Sequence, residues 1–149
     1  MGAIIWQKQT TMNTTGGGAI MGSFPYPRNG ILKIDYEFIL IFKKQGKAPK
    51  PSKEQKEASE MTKEEWNSFF ASHWNFGGAK QNGHIAVFPE ELPHRLIKMF
   101  SFVGETVFDP FMGSGTTGVA AIKNGRKFCG CEMKQNFFEL AEKRITNGT

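Results

Sequence analysis

Cysteine is nearly absent: the 149 residues hold two, Cys129 and Cys131. Two apart on a strand-like run, they face the same side and are too close for an ordinary disulfide. They are too few for a zinc site, so they read as structural thiols in a reducing compartment. Histidine is scarce too, and His73, His84 and His94 show no ligand spacing. No apolar run approaches the ~20 residues of a membrane span. The opening Gly2-Ala3-Ile4-Ile5-Trp6 has no basic region before it and does not read as a secretion signal. Acid is outnumbered, with 14 Asp and Glu against 19 Lys and Arg, for a net charge of +5. That balance favours an acidic partner such as nucleic acid. What the chain does have is apolar material: 39% of its residues, including 14 phenylalanines, enough for the core of one domain.

The pattern alternates short strands, loops and helices. Ala3 to Trp6 reads as a short buried strand. Residues 10–30, rich in Thr, Gly and Pro, read as loop. Ile31 to Phe42 is the strongest strand candidate, with Ile34, Tyr36, Phe38, Leu40 and Phe42 on one face. Ile39 and Ile41 make the other face apolar as well, so the later half is expected to be buried on both sides. From Lys43 to Lys53 there are five lysines, two prolines and no acid. This stretch reads as an exposed linker, able to follow a phosphate backbone or to serve only as a solvated loop. Thr62 with Glu65 is a capping box that opens a helix. Trp66, Phe69, Phe70 and His73 would form its stripe, read as core in preference to a base-stacking platform. Phe76-Gly77-Gly78 and Asn82-Gly83 read as loop. Glu90 to Phe102 is a helix with prolines only in its first turn, and a last helix begins near Asn136.

One stretch carries more chemistry than the rest. Glu105-Thr-Val-Phe has strand character, Asp109-Pro-Phe-Met-Gly-Ser-Gly-Thr-Thr117 comes next, and a short helix starts near Thr116 and ends at Gly125. A strand, a glycine-rich loop and a helix in that order aim backbone N–H groups and a helix dipole at a ligand. Gly113, Gly115 and Gly118 form a G-x-G-x-x-G, which alone is a weak signal. Asp109 at the strand end would repel a diphosphate and argues against a nicotinamide cofactor; it would suit a cationic group. Glu132 comes after a second strand, Lys127 to Cys131, at 19 residues from Gly113, near the ~20-residue interval for an acid that meets ribose hydroxyls. A ligand with an amino-acid end, a positive centre and an adenosine satisfies all three demands: S-adenosylmethionine.

The same residues carry a family resemblance. From Phe88-Pro89-Glu90-Glu91-Leu92-Pro93 through Asp109–Thr117 to Gly130-Cys131-Glu132, the chain resembles the cofactor half of the amino-methylating DNA methyltransferases, which modify adenine N6 or cytosine N4. Gly2 to Lys8, Gly22 to Gly30 and Tyr36 to Lys44 are similar to the segments downstream of the catalytic tetrapeptide in the permuted class, where the catalytic half comes first. The likeness covers nearly the whole chain except about 46 to 83. It implies a Rossmann-like α/β fold and S-adenosylmethionine held by Phe88, Pro89, Asp109, Phe111, Gly113, Ser114, Gly115, Thr116, Thr117 and Glu132. It implies double-stranded DNA as partner, with phosphate contacts expected from Arg28, Lys43, Lys44, Lys47, Lys50 and Lys53. A restriction-modification setting in a prokaryotic or phage-host cytosol, with no membrane association, goes with it.

The departures from the family pattern shape the remaining expectations. The catalytic tetrapeptide, Asp, Asn or Ser followed by Pro-Pro-Tyr or Pro-Pro-Phe, is not in these 149 residues; the resemblance places it upstream of Gly2. Its polar side chain accepts hydrogen bonds from the target amine while its ring stacks on the flipped base. Phe24-Pro25-Tyr26-Pro27 lacks the leading polar residue and reads as a turn. The family sheet has seven strands in the order 3-2-1-4-5-7-6, and the third and fourth find no match here. The expectation is therefore a partial fold lacking strands 3 and 4: residues 1–45 as the distal part of the catalytic half, 46–83 as linker and target-recognition-like segment, and 84–149 as the cofactor half, all in one structural domain. Such a fragment is expected to be inactive alone and to leave open edges on Val107–Asp109 and Ala3–Trp6. It would pair with a catalytic-half polypeptide or a second copy of itself. A non-catalytic module that binds cofactor or nucleic acid is the alternative; a small-molecule methyltransferase is a third.

Overall fold

A computed structural model describes residues 2–9, 26, 34–79 and 88–147. In chain order the described elements are β1 (Ala3–Gln9), β2 (Tyr36–Leu40), α1 (Lys53–Ala58), α2 (Lys63–Phe69), β3 (His73–Gly77), α3 (Glu91–Phe100), β4 (Thr106–Asp109), α4 (Thr116–Lys123), β5 (Lys127–Gly130) and α5 (Gln135–Asn147). The chain divides into two compact units, one drawn from Met1–Lys44 and Ala71–Val87, the other from Gln45–Phe70 and Phe88–Thr149.

The first unit is a three-stranded sheet in the order β2-β1-β3. β2 runs antiparallel to β1, with Ile5 opposite Phe38. β3 runs parallel to it, with Trp6 opposite Trp74 and Gln9 opposite Gly77. The pleat puts Ile4, Trp6 and Trp74 on one face, and all three are buried. The Trp6 indole donates from Nε1 to the Phe76 carbonyl at 3.1 Å and stacks on the Phe76 ring at 5.2 Å. Lys8 pairs with Glu37 at the end of the β1–β2 ladder.

Three expectations change here. β1 pairs on both sides from Ile5 onward, so the open edge expected for Ala3–Trp6 is closed at Ile5 and Trp6, while Ala3 and Ile4 pair with β2 alone among the described residues. Residues 73–77 form a strand, although Phe76-Gly77-Gly78 reads as loop; His73 therefore lies on β3 and leaves the helical stripe. The later half of the Ile31–Phe42 run is not buried on both faces either. Phe38 and Leu40 are each 60% exposed, while Ile39 and Ile41 on the opposite face are half-buried. Ile31 to Lys33 lie outside the described residues.

The second unit packs helices on a parallel strand pair, β4 and β5, in which Val107 faces Phe128 and Asp109 faces Gly130. Among the described residues β4 has this one partner. Val107 and Phe128 pack on Ile97 of α3 and Ala120 and Ala121 of α4, which form the core. The alanines let α4 lie close to the strands. Phe108, on the other face of β4, is exposed.

Side chains close several of the helix ends. Thr62 and Glu65 make the expected capping box, each side chain bonding the other's N–H at 3.1 Å. Of the stripe on α2 only Phe69 is buried; Trp66 and Phe70 are exposed and stack on each other at 4.3 Å. The core reading of that stripe therefore holds for one residue alone. Ser52 and Gln55 make a second capping box that starts α1. That helix is docked: Gln55 Nε2 donates to the Val103 carbonyl at 3.1 Å, and the Val103 N–H donates to Ser59 Oγ at 2.8 Å. Lys98 of α3 pairs with Glu65 of α2 and holds its carboxyl below the usual carboxylate range.

Arg126, almost fully buried, closes two helix ends at once. Its Nη2 donates to the Ser101 carbonyl at 2.6 Å and its Nη1 to the Asn124 carbonyl at 2.6 Å. These are the C-caps of α3 and α4, where a cation complements the helix dipole. Burial lowers the Arg126 pKa, and Glu105 opposes that shift.

Candidate functional site

The strand–loop–helix expected around Asp109 is present. β4 ends at Asp109, the loop turns through 110–115, and α4 begins at Thr116. Gly113 and Gly115 hold positive φ, 52° and 82°, where a side chain would be strained. The loop is pinned at each bend. The Cys131 N–H donates to the Asp109 carbonyl at 3.0 Å, the Met112 N–H to the Cys131 carbonyl at 3.0 Å, and the Gly115 N–H to the Met112 carbonyl at 2.8 Å. Gly115 is the N-cap of α4, and no side chain caps that end. The first-turn N–H groups, which have no partner within a helix, are thus left for an anion.

The two acids sit where the strands deliver them. Asp109 Oδ1 accepts the Phe111 N–H at 3.0 Å. Glu132 accepts the Gly113 N–H at 3.1 Å on Oε2 and the Lys134 N–H at 2.8 Å on Oε1. The 19-residue interval therefore brings Glu132 back onto the glycine loop itself. Each carboxylate oxygen keeps lone-pair capacity after one such bond, so Glu132 can still take ribose hydroxyls. Uncapped helix, strand-end acid and loop-bound acid suit a carboxylate, an ammonium and a ribose respectively. The donor set fits S-adenosylmethionine.

Two of the glycines serve the protein before any ligand. A Cβ on Gly115 would come 2.9 Å from Ala141 Cβ, and one on Gly118 would come 2.5 Å from Ile145 Cδ1. Helix α5 thus lies in the space those missing side chains leave. Arg144 on the same helix face donates from Nη1 to the Ser114 carbonyl at 2.7 Å and to Ser114 Oγ at 3.0 Å. Neither Arg144 nor Arg126 stands out in the sequence. Their signals were a basic residue three after a small one in the last helix, and a basic residue directly after a helix-ending glycine.

The remaining expected residues fall in different places. Phe111 projects from the loop at 87% exposed; Thr116 is buried and Thr117 half-buried. Phe88 and Pro89, half-buried, precede α3, which packs on α4. Lys43, Lys44, Lys47, Lys50 and Lys53 are exposed, and Lys53 lies 3.7 Å from Glu57. Lys43 and Lys44 belong to one compact unit and the other three to the second. Arg28 lies outside the described residues. No helix among the described residues is long and apolar enough to cross a membrane, and no three described His, Cys, Asp or Glu residues could hold a metal ion.

The profile of the DNA methylase family that acts on N6 and N4 positions matches residues 2–143. This chain is a member of that family. Among curated methylases it is similar to the type II methyltransferase M.MjaI of Methanocaldococcus jannaschii, at 40% identity over 95% of this chain and 48% of that protein. The type II methyltransferase M.MthZI of Methanothermobacter thermautotrophicus is 37% identical over 95% of this chain and 42% of its own length. The chain spans about half the length of these relatives. Among solved methylases, TTHA0409, a candidate DNA modification methylase from Thermus thermophilus, superposes with a TM-score of 0.78 at 36% identity. The match covers 99% of this chain and 53% of that one, and that structure is complexed with S-adenosyl-L-methionine.

Proposed function

We propose that these residues supply the S-adenosylmethionine-binding half of an amino-directed DNA methyltransferase. The observation that carries the reading is the loop itself: an uncapped α4 N-terminus between Asp109 at the end of β4 and Glu132, whose carboxylate is already bonded to Gly113. In this reading Asp109 takes the ammonium, and the N–H groups around Ser114 to Thr117, apart from that of Gly115 which bonds the Met112 carbonyl, take the methionine carboxylate. Glu132 takes the ribose, and Phe88, Pro89 and Phe111 border the pocket. The bound cofactor supplies an electrophilic methyl group for an exocyclic amine of adenine or cytosine. The chain's own part is to bind and orient the sulfonium end.

Residues 1–45 are assigned to the distal part of the catalytic half, 46–83 to a linker and variable, target-recognition-like segment, and 84–149 to the cofactor half. Lys43, Lys44, Lys47, Lys50, Lys53 and Arg28 are assigned to phosphate contacts. The 149 residues contain no Pro-Pro-Tyr or Pro-Pro-Phe, so the acceptor for the target amine is assigned to polypeptide outside them, and these residues alone are expected not to methylate DNA. A prokaryotic or phage-host cytosol and a catalytic-half partner complete the proposal.

Calorimetry with S-adenosylmethionine tests it, on the purified chain and on the chain mixed with the catalytic half of a relative. Asp109→Ala and Glu132→Ala should each weaken binding by about 1–3 kcal/mol through lost charge-assisted hydrogen bonds. Unchanged affinity in both variants would overturn the assignment. So would steady labelled-methyl transfer to mixed-sequence DNA by the chain alone, which would place the amine acceptor within these residues.

A further inference from the structure

Ser114 stands between two glycines at positive φ, so its peptide is the part of the loop with the fewest intrinsic constraints. One side chain addresses it from outside the loop. Arg144 Nη1 donates to the Ser114 carbonyl at 2.7 Å and to Ser114 Oγ at 3.0 Å, and lies 3.5 Å from Thr116 Oγ1. Arg144 sits on α5 between Ala141 and Ile145, the residues against which Gly115 and Gly118 pack. Residues 141, 144 and 145 share one helical face, so the cation is carried on the surface that seats the loop. It also brings positive charge to the uncapped end of α4, where charge of that sign favours an anionic ligand.

We propose that Arg144 is a positioning residue for the loop: by fixing the Ser114 peptide it orients the N-terminal N–H groups of α4 toward the carboxylate of a bound amino-acid moiety. The ligand half of this statement rests on the proposed cofactor role of the loop. Arg144 acts through Ser114 and Thr116. Its loss should therefore loosen the loop and weaken ligands that have an amino-acid end, while sparing ligands that have only the nucleoside end.

The test uses the full chain as Arg144→Gln, Arg144→Lys and the neighbouring exposed control Lys143→Gln. Amide exchange without ligand reads the loop through the Gly113 and Gly115 N–H groups. In Arg144→Gln it should quicken about tenfold across 113–117, the loss of a charge-assisted hydrogen bond, while 106–109 stay unchanged. Calorimetry with S-adenosylhomocysteine and with 5′-methylthioadenosine, which lacks the amino-acid end, reads the ligand side. Arg144→Gln should weaken the first about tenfold and the second less than about twofold. Arg144→Lys, which keeps the charge but not the fork, should fall between. It is also the variant to read if the Gln chain melts early.

Unchanged loop exchange in Arg144→Gln would overturn the proposal. An equal loss for both ligands would overturn it too, since that marks a merely structural residue. Binding of neither ligand by the wild-type chain would overturn the cofactor reading and the ligand half of this proposal, while the exchange result would still decide the loop clamp.

Discussion

The two compact units bring their strands together over very different stretches of chain. β4, its loop, α4 and β5 are consecutive, and the parallel pair closes within Thr106–Gly130. The sheet of the other unit joins residues 3–9, 36–40 and 73–77, and its parallel pair closes over residues 10–72. The local unit is tied at many points by short-range bonds: Met112 to Cys131, Gly113 to Glu132 and Gly115 to Met112. The long-range unit relies on side chains that meet across the sheet, above all Trp6, Trp74 and Phe76. Closing a long loop costs chain entropy before its contacts form. Large buried aromatic groups at the β1–β3 seam are what offsets that cost.

Breaking that seam should have the largest effect. Trp74 is almost fully buried, and Trp74→Ala should destabilise by about 3–5 kcal/mol, measured by urea unfolding. Amide exchange should rise along β1 and β3 first. Equal loss of protection at 113–117 would show that the two units unfold as one and that the contrast between them does not extend to their stability.

Gly115→Ala should have the next largest effect, confined to the local unit. The new Cβ meets Ala141 Cβ at 2.9 Å and the φ of 82° disfavours it, for a loss of about 2–3 kcal/mol. Adding Ala141→Gly should recover little of this, because the new Cβ also meets the Ala141 Cα at 3.0 Å and the Ala141 carbonyl at 3.3 Å. A Gly115→Ala chain as stable as wild type, by thermal melt, would mean that α5 does not rest on the loop.

The smallest effect is electrostatic and lies between helices. Glu65 has its pKa lowered by the Lys98 hydrogen bond. A carboxylate depressed in the folded state stabilises above its unfolded pKa, near 4.5, and that stability is lost as pH falls through the lower, folded value. Glu65→Gln should therefore be less stable than wild type at neutral pH and should lose less on acidification below about 4.5. Parallel acid limbs for the two proteins would mean that the Lys98–Glu65 pair does not help to hold α2 on α3.

The same division by chain distance governs what was legible in the sequence. Asp109 to Thr117, Gly125 and the Thr62–Glu65 box announce themselves because each depends on neighbours within a few residues. Ser52 and Gln55 carried the same capping signature and started a helix that the lysine-rich composition around it concealed. β3 was hidden for the opposite reason. Gly77 and Gly78 argue for loop locally, and only the pairing of Trp74 with Trp6 makes 73–77 a strand. In the candidate site, Asp109 was picked out by its place at a strand end and Glu132 by its interval from Gly113. The contribution of α5 was not, because Ala141, Arg144 and Ile145 look like any helix face until Gly115 and Gly118 are seen to lack the side chains that would collide with them.

Chain distance also sets a timetable during synthesis. β1 is made before its parallel partner, which comes only when His73–Gly77 has been made. At ~5–20 residues per second that interval is roughly three to thirteen seconds, during which the Trp6 indole and one edge of β1 wait uncovered. β5 comes after β4 within roughly one to four seconds at the same rate. The nascent chain thus carries the uncovered edge of β1 longer than that of β4, and a pause placed before residue 73 would lengthen that exposure without touching the loop made later.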